Sequence, residues 1–349
     1  MNVRRPWLIP FSPLYGLVVA IKRRLYEWGL FKRKHLAAPV ICVGSVSAGG
    51  AGKTPFVAML AELLHQRGYA VSILTRGYGR TSVQVERVEP FDDPLWHGDE
   101  PVLLAHSSQA AVFAGADRYE AGLLAEREAT HGRIAVHLLD DGFQHLRLAR
   151  NVDIVLLTLE DTEDNLLPAG NLRESVTAPA KADILVLRDD EVLKLQDELD
   201  LLRAEGHELV IWVIRRTLEL LEPVGTFELP TLPMAFCGIA RPENFTRMLT
   251  SSSYEPLETM AFADHHAYTA EDMNRLIERA RAIGANGFVT TEKDAVKITP
   301  EMRSQLSSVG PMIVAQLKVE LLREKEAFAQ LIALVGELDR RRNRPPIKA

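Results

Sequence analysis

The sequence predicts an α/β fold with a P-loop-type parallel sheet as its core, a second, smaller α/β domain, and an N-terminal helix at a membrane interface. Three observations lead to this prediction. Short β-rich runs alternate with helix-like stretches, a glycine-rich turn follows the first of these runs, and a basic, apolar segment precedes it. The 349 residues, 47% hydrophobic and 25% charged, exceed a usual single domain of roughly 100 to 200 residues, so two domains are expected.

The N-terminal segment, residues 1–38, is basic and apolar. It carries eight Lys and Arg residues against Glu27 alone, so its formal charge is +7, and the remainder of the chain must carry −13 to give the net −6. Apolar residues from Pro13 onward recur at helical spacing: Leu14, Val18, Ile21, Leu25 and Trp28. Pro10 and Pro13 leave too few residues for a spanning helix of about 20. We expect an interfacial helix, with a signal peptide or an ordinary packing helix as alternatives.

The core domain, residues 39–222, begins with a buried strand at Pro39–Val46 and a helix over about 54–67. Further short β-rich runs indicate strands, and their alternation with helical stretches is typical of a parallel sheet. These runs are Ala70–Leu74, Ala111–Ala114, Ile134–Leu139, Ile154–Leu157 and Ile184–Leu187.

A domain junction is predicted around Leu209–Glu222, where the pattern changes and Pro223, Gly225 and Pro230 follow. Residues 223–349 then form the smaller α/β domain. Its predicted elements are a strand at Met234–Ile239, helices at Asn244–Leu249 and Ala270–Ile283, and a strand at Gly287–Thr290. A final helix, roughly Val319–Arg341, is expected to pack on either domain.

A phosphate-binding loop occupies the turn between the first strand and helix, which is the context a P-loop requires. Glycines let backbone N–H groups face phosphate oxygens, Lys53 is suited to bridge the outer phosphates, and Thr54 to ligate magnesium. The predicted ATP-binding residues are Ser47, Ala48, Gly49, Gly50, Ala51, Gly52, Lys53 and Thr54. Ser47 stands where the strict pattern has glycine, so the loop is a variant.

Two acidic residues end the strand at Ile134–Leu139, as in a second nucleotide motif whose carboxylate supports magnesium. We predict Asp140 as the Mg²⁺ ligand together with Thr54, and place Asp141 among the catalytic residues. Paired acids after a strand also cap turns, which is the simpler alternative.

Cysteine usage and charge exclude several classes of protein. Cys42 and Cys237 are far apart and follow no metal-ligand spacing, which argues against a disulfide framework or zinc site and fits a reducing cytoplasm. The acidic body argues against nucleic-acid binding, whereas the basic N-terminus suits an anionic membrane surface. No obligate protein partner is evident.

An ordered series of blocks resembles the tetraacyldisaccharide 4'-kinases over nearly the whole chain. The blocks are Gly49–Pro55, Thr75–Arg80, Gly98–Pro101, Asp140–His145, Leu167–Glu174, Phe262–His266 and Thr290–Lys297, and the segment Pro13–Tyr15 fits too. Departures are modest: Ser45, Asn151 and Ser175 stand where the family favours asparagine, aspartate and proline.

The resemblance implies transfer of the ATP γ-phosphoryl group to the 4'-hydroxyl of tetraacyldisaccharide 1-phosphate, which gives lipid IVA at the cytoplasmic face of the bacterial inner membrane. It implies that Asp99 accepts the hydroxyl proton and that His265 pairs with it, with Lys53 and Asp141 as further catalytic residues; the adjacent His266 stays open as the pairing histidine. The residues assigned to the substrate or its surroundings are Arg76, Arg80, Arg118, Arg173 and Glu174.

Two other functions compete with this interpretation. A membrane-associated ATPase switch would explain the loop and the basic helix, but not the ordered blocks, and Ala48 stands where such ATPases carry a signature lysine. A P-loop kinase that phosphorylates a soluble small molecule would not need an N-terminal segment that binds a membrane. The block Thr290–Lys297 either holds the second domain near the nucleotide or begins a helix.

Overall fold

The computed structural model describes residues 5–129, 132–204, 209–221 and 229–342. Within these ranges twelve strands form one continuous sheet. They are β1 (Val40–Ser45), β2 (Tyr69–Thr75), β3 (Glu86–Val88), β4 (Ala111–Ala114), β5 (Ile134–Asp140), β6 (Val152–Leu156), β7 (Ile184–Arg188), β8 (Val210–Leu221), β9 (Pro233–Cys237), β10 (Glu258–Ala261), β11 (Gly287–Thr291) and β12 (Met312–Leu321).

Helices cover both parts of this sheet in the described residues. They are α1 (Ser12–Glu27), α2 (Lys53–Gln66), α3 (Pro94–His97), α4 (Asp99–Ser107), α5 (Arg118–Glu128), α6 (Leu159–Thr162), α7 (Gln196–Ala204), α8 (Pro242–Ser251), α9 (Ala270–Ile283), α10 (Glu292–Ala295), α11 (Pro300–Leu306) and α12 (Glu324–Arg342). A short 3-10 helix, Pro6–Phe11, leads into α1.

The strand order, β10-β9-β11-β12-β8-β7-β6-β1-β5-β2-β4-β3, divides the sheet into two units. Strands β8 to β3 form the first unit, and β10 to β12 form the second. Pairing is parallel except between β3 and β4 and between β8 and β12. The predicted α/β class with a mostly parallel sheet is therefore confirmed. In the first unit, β1 lies between β5 and β6, so the residues that follow β1 and β5 meet at one edge.

An antiparallel ribbon of β8 and β12 joins the two units. The prediction of a helix starting near Val319 was wrong, because β12 continues to Leu321 and α12 begins only at Glu324. Val319 and Leu321 are buried while Glu320 is exposed, which is the alternation of a strand. The segment at 209–221, predicted as a junction, forms β8, and the proposed boundary between residues 222 and 223 lies outside the described residues.

Helix α12 packs on the first unit, although it follows the second in the chain. Ala327 and Leu331 are buried in the same apolar core as the strands and α2. The Phe328 ring contacts Tyr69 edge-on at 6.4 Å, and Trp212 Nε1 donates a hydrogen bond of 3.0 Å to Gln330. The core of the first unit is therefore completed by residues from the end of the fold.

Helix α1 is held to the first unit by its polar side. Ser12 Oγ donates to the Leu166 carbonyl at 2.8 Å, Arg23 pairs with buried Glu174, and Glu27 pairs with Lys181 at 2.9 Å. Its apolar residues face outward instead, and most of those that predicted the helix are at least half exposed: Leu14, Val18, Ile21 and Trp28. No helix in the described parts of the chain is both long and apolar enough to cross a bilayer.

Candidate active site

A cleft of about 2150 Å³ runs between the two units, at the edge where β1 and β5 end. Its lining includes the phosphate loop from Ala48 to Thr54, the acidic pair after β5 and residues of the second unit. Lys22 of α1 also reaches this cleft. The predicted nucleotide site and helix α1 thus border one space.

The phosphate loop has the backbone that its glycines allow. Gly50 and Gly52 have φ of 74° and 82°, in the left-handed region, and Gly52 caps the N-terminus of α2. Lys53 Nζ lies 3.0 Å from Ser45 Oγ and 3.4 Å from Asp141 Oδ1. A flexible cation thus lies beside a helix N-terminus, a combination that binds phosphate. Ser47 is buried beneath the loop.

Asp141 is fixed by a bidentate bond with Arg173, with distances of 2.8 and 2.6 Å. Burial alone would raise the pKa of Asp141, but the charges of Lys53 and Arg173 and their hydrogen bonds hold it well below its ordinary value. The carboxylate is therefore ionised at neutral pH. Asp141 directly follows β5, and its φ of 47° lies in the left-handed region, which is unusual for a residue other than glycine.

Asp140 lies in a different environment from its neighbour. Its Oδ2 accepts a hydrogen bond of 3.1 Å from Thr75, whereas its buried Oδ1 has no partner among the described residues. Burial, with the nearby carboxylates of Glu100 and Asp141, raises the pKa of Asp140 to about 7. A free, desolvated carboxylate oxygen facing a phosphate site is what a cation would satisfy.

Asp99 and His265 meet across the two units. Asp99 is the first residue of α4, and His265 Nδ1 lies 2.9 and 3.0 Å from its two carboxylate oxygens. Burial by itself raises the pKa of Asp99, but the His265 hydrogen bond and the charge of Lys293 hold it below its ordinary value. Burial by itself lowers the pKa of His265, but Asp99 holds it above its ordinary value. The two groups thus favour an imidazolium–carboxylate pair.

Lys293, from the block Thr290–Lys297, fixes the other side of this pair. Its Nζ lies 3.2 Å from His265 Nε2, 3.2 Å from Glu100 Oε1 and 3.5 Å from Asp264 Oδ1. Because Glu100 belongs to the first unit, these contacts hold the second unit near the cleft. Thr291 caps α10, so the block begins a helix, and its placement of the second unit near a nucleotide stays a prediction.

The contacts of His265 and His266 show that the two histidines have different roles. His266 Nε2 lies 2.9 Å from Asp272 Oδ2, and its ring stacks on Phe262 with centroids 4.7 Å apart. Asp272 also completes the capping box of α9 with Thr269. His266 thus supports a helix start, and only its neighbour faces Asp99.

The substrate candidates divide into two groups. Arg76, Arg118 and Arg173 line the cleft, whereas Arg80 and Glu174 are absent from its described lining. Arg80 donates to the carbonyls of Ala114 and Gln84 at 2.8 and 2.7 Å, and Glu174 pairs with Arg23 of α1. Arg80 thus braces a loop and lines a smaller adjoining pocket, Glu174 anchors a helix, and the assignment of both to the substrate or its surroundings stays a prediction.

Sequence analysis did not predict two arginines that lie near the phosphate loop. Arg241 precedes α8, pairs with Glu160 and lies over Gly50, where a Cβ would be 2.5 Å from its Nε. Arg216 of β8 lies beside Gly52. Neither belongs to a recognised block, and only the folding of the second unit and the ribbon brings them to the loop.

Comparisons with known proteins agree with this geometry. A family model described as tetraacyldisaccharide-1-P 4'-kinase matches residues 4–336. A tetraacyldisaccharide 4'-kinase of Koribacter versatilis is 36% identical over 333 residues, which cover 93% of this chain and 98% of that protein. One from Geobacter metallireducens is 37% identical, covering 91% and 94%.

A solved structure has the same fold over almost the full length. The crystal structure of LpxK from Aquifex aeolicus in complex with ATP superposes with a TM-score of 0.74 at 33% identity, covering 95% of this chain and 99% of that one. By the full-length family match and these identities, this chain belongs to the tetraacyldisaccharide 4'-kinase family.

Proposed function

We propose that this chain uses ATP to phosphorylate the 4'-hydroxyl of tetraacyldisaccharide 1-phosphate, a step of lipid A biosynthesis that gives lipid IVA. The observation that carries the proposal is the pair Asp99–His265, 2.9 Å apart, in the cleft that the phosphate loop lines. A phosphate loop alone occurs in many nucleotide-binding proteins. A carboxylate oriented by histidine opposite that loop is suited to activate a hydroxyl group.

Asp99 is the proposed general base. Its lowered pKa keeps it ionised near neutral pH, so it is able to accept the hydroxyl proton as the oxygen attacks phosphorus. His265 orients the carboxylate through Nδ1, while the Lys293 ammonium lies 3.2 Å from Nε2 and opposes protonation of that nitrogen. The role of His265 is to position the base before the substrate arrives.

Lys53 and the loop amides are proposed to bind the ATP phosphates. Arg173 contributes indirectly, because it fixes Asp141 and donates to the Ser47 carbonyl at 2.9 Å, which ties the loop to the acidic strand end. Phosphoryl transfer depends mainly on such positioning and charge stabilisation. Arg76 and Arg118, which line the same cleft, are proposed to bind the anionic head of the substrate.

Magnesium fits the residues present. Thr54 and Asp140 line the cleft, and the unpartnered Oδ1 of Asp140 supplies an oxygen of the kind Mg²⁺ prefers. No group of three or more His, Cys, Asp or Glu side chains in the described residues is arranged to hold a metal. Magnesium is usually held by one or two carboxylates with substrate phosphates and water. When bound, the ion would neutralise phosphate charge during transfer.

Helix α1 is proposed to lie on the cytoplasmic face of the bacterial inner membrane. It contacts the protein through polar residues and exposes its apolar residues, the opposite of an ordinary packing helix. The acyl chains of the substrate remain in the bilayer while its sugars must reach the cleft. With Lys22 at the cleft, the helix is placed to serve both needs.

The test is a transfer assay with γ-labelled ATP, magnesium and tetraacyldisaccharide 1-phosphate in mixed micelles. We expect the unmodified protein to label the lipid, Asp99→Ala to lower the rate about 10²- to 10⁴-fold, and Lys53→Ala to abolish detectable transfer. Arg203→Ala, a surface variant in α7, is the control and should retain full activity. Label appearing only as free phosphate, indifferent to the lipid, would replace the kinase proposal by an ATPase switch.

A further inference from the structure

Arg216 lies on the part of β8 that extends beyond the sheet of the first unit. β8 pairs with β7 only from Val210 to Ile214, and from Ile214 to Leu221 its partner is β12. This ribbon passes the phosphate loop, so that a Cβ on Gly52 would lie 3.3 Å from Nη1 of Arg216. Arg216 therefore reaches the cleft from the connection between the units.

The guanidinium of Arg216 differs from those of neighbouring arginines in having no hydrogen-bond or ion-pair partner among the described residues. Arg215 donates to Asp189 at 2.8 Å, and Arg241 pairs with Glu160. In the described part of the chain, no acceptor lies within hydrogen-bond or ion-pair distance of the Arg216 guanidinium. Burial, and then the charge of Arg188, lower the pKa of Arg216 to about 10, so it stays charged at neutral pH. The Arg216 side chain is partly buried, and the carboxylates of Glu191 and Asp190 act on it only from beyond contact distance, so an anionic ligand beside it would gain a favourable charge interaction.

The position beside Gly52 indicates which anion this is. Gly52 caps α2, and the amides at that helix start, together with Lys53, are the part of the loop suited to phosphate. Guanidinium groups bind phosphate oxygens in a planar, bidentate manner. We propose that Arg216 is a further nucleotide-binding residue, which contacts the ATP phosphates from the side of the β8–β12 ribbon. The inference rests on the proposed kinase function and adds a contact between the nucleotide and the connection of the two units.

The affinity test compares Arg216→Ala and Arg216→Lys in the full chain, with calorimetry for ATP and competition for adenosine. Losing a hydrogen-bonded charge on phosphate should weaken ATP binding about 10- to 100-fold in Arg216→Ala, and less in Arg216→Lys, with adenosine unaffected. Arg215→Ala is the matched control, because successive strand residues point to opposite faces and Arg215 bonds Asp189. An equal loss for ATP and adenosine would place Arg216 at the base and overturn the phosphate contact.

Thermal unfolding separates ligand binding from a structural role. Because Arg216 makes no direct ion pair in the described part of the chain, Arg216→Ala should leave the Tm of the nucleotide-free protein unchanged, while the rise that ATP produces becomes smaller. A lower Tm without nucleotide, combined with an unchanged ATP-induced rise, would show that Arg216 is merely structural.

Failure of the kinase proposal would look different from failure of this inference. If the unmodified protein bound ATP without labelling lipid, the kinase would be rejected, and the affinities of the Arg216 variants would still decide the contact. If it labelled lipid while Arg216→Ala and Arg215→Ala bound ATP equally, Arg216 would be rejected and the kinase retained. Absence of ATP binding by the unmodified protein would overturn both.

Discussion

At the scale of single residues, the pair Asp99–His265 gives a pH dependence of defined sign. The pKa of His265 is raised above its ordinary 6.5, so its stabilising contribution is complete below pH 6.5 and is lost as pH rises through the folded value. The pKa of Asp99 is lowered below 3.8, so its contribution is complete above pH 3.8 and is lost as pH falls through the folded value. The pair is therefore fully formed between these two limits.

Removing the Asp99 carboxylate should lower the pKa of His265. We predict that the pKa of His265 falls below 6.5 in Asp99→Asn, because the carboxylate is lost while burial and Lys293, which both lower it, remain. NMR titration of the ring resonances measures this shift. Asp272→Asn, which removes the partner of His266, is the control and should leave the His265 titration unchanged. An unaltered His265 pKa in Asp99→Asn would exclude the ion pair.

The sequence predicts best those site residues whose motif lies within a short stretch of the chain. The phosphate loop and the acids after β5 follow strand ends directly, so a short window contains both the strand and the functional group. No short stretch of sequence around Arg216 or Arg241 predicts their position beside the loop. Their position is set by the pairing of β8 with β12 and by the seating of α8 over the loop, which depend on contacts with distant residues. The roles of Asp99 and His265 came from family resemblance and stay predictions.

At the scale of elements, substitutions on the exposed face of α1 should alter membrane binding without altering ATP affinity. Introducing charges on its exposed face with Val18→Glu and Ile21→Glu should weaken binding to anionic vesicles about tenfold or more, because apolar side chains no longer enter the interface. ATP affinity should be unchanged, since neither side chain lines the cleft. Vesicle sedimentation and calorimetry measure the two quantities.

The control for this prediction is Leu232→Glu combined with Leu257→Glu, at two exposed leucines of the second unit. It introduces the same charge on similarly exposed apolar surface, but outside α1. Vesicle binding reduced equally by the control and by the α1 variant would mean that general charge, rather than the helix, governs association.

The elements that the sequence predicted are those with strong local periodicity. Helix α9 matched its predicted bounds, Ala270–Ile283, because its apolar positions recur at helical spacing and Thr269 and Gly284 mark its ends. Strand β12 was missed because its long, partly polar sequence is stabilised by β8, which lies far away in the chain. Propensity alone could not reveal that pairing.

At the scale of the whole molecule, contacts beside the phosphate loop hold the two units together. We predict that Arg241 and Glu160 are energetically coupled, since removing either partner takes from the other its closest opposite charge and leaves Glu160 with Asn244 and Arg241 with the more distant Asp161. A double-mutant cycle with Arg241→Ala and Glu160→Ala, read by the free energy of unfolding, should give a coupling of about 0.5–3 kcal/mol.

The reference pair for this cycle is Arg203 and Asp200, an exposed ion pair 3.1 Å long within α7. Its coupling should lie near 0–1 kcal/mol, as is usual for surface pairs. Couplings of equal size in the two cycles would show that the contact beside the loop has no special part in holding the units together.

The packing of α12 on the first unit also constrains biosynthesis. Because Ala327 and Leu331 belong to the core around α2, that core cannot close while the ribosome is still producing residues 229–321. The nascent first unit must wait with apolar surface exposed until residues 324–335 have emerged, although most of its strands were synthesised long before. We therefore expect co-translational folding of the first unit to be completed only after the second unit has been synthesised.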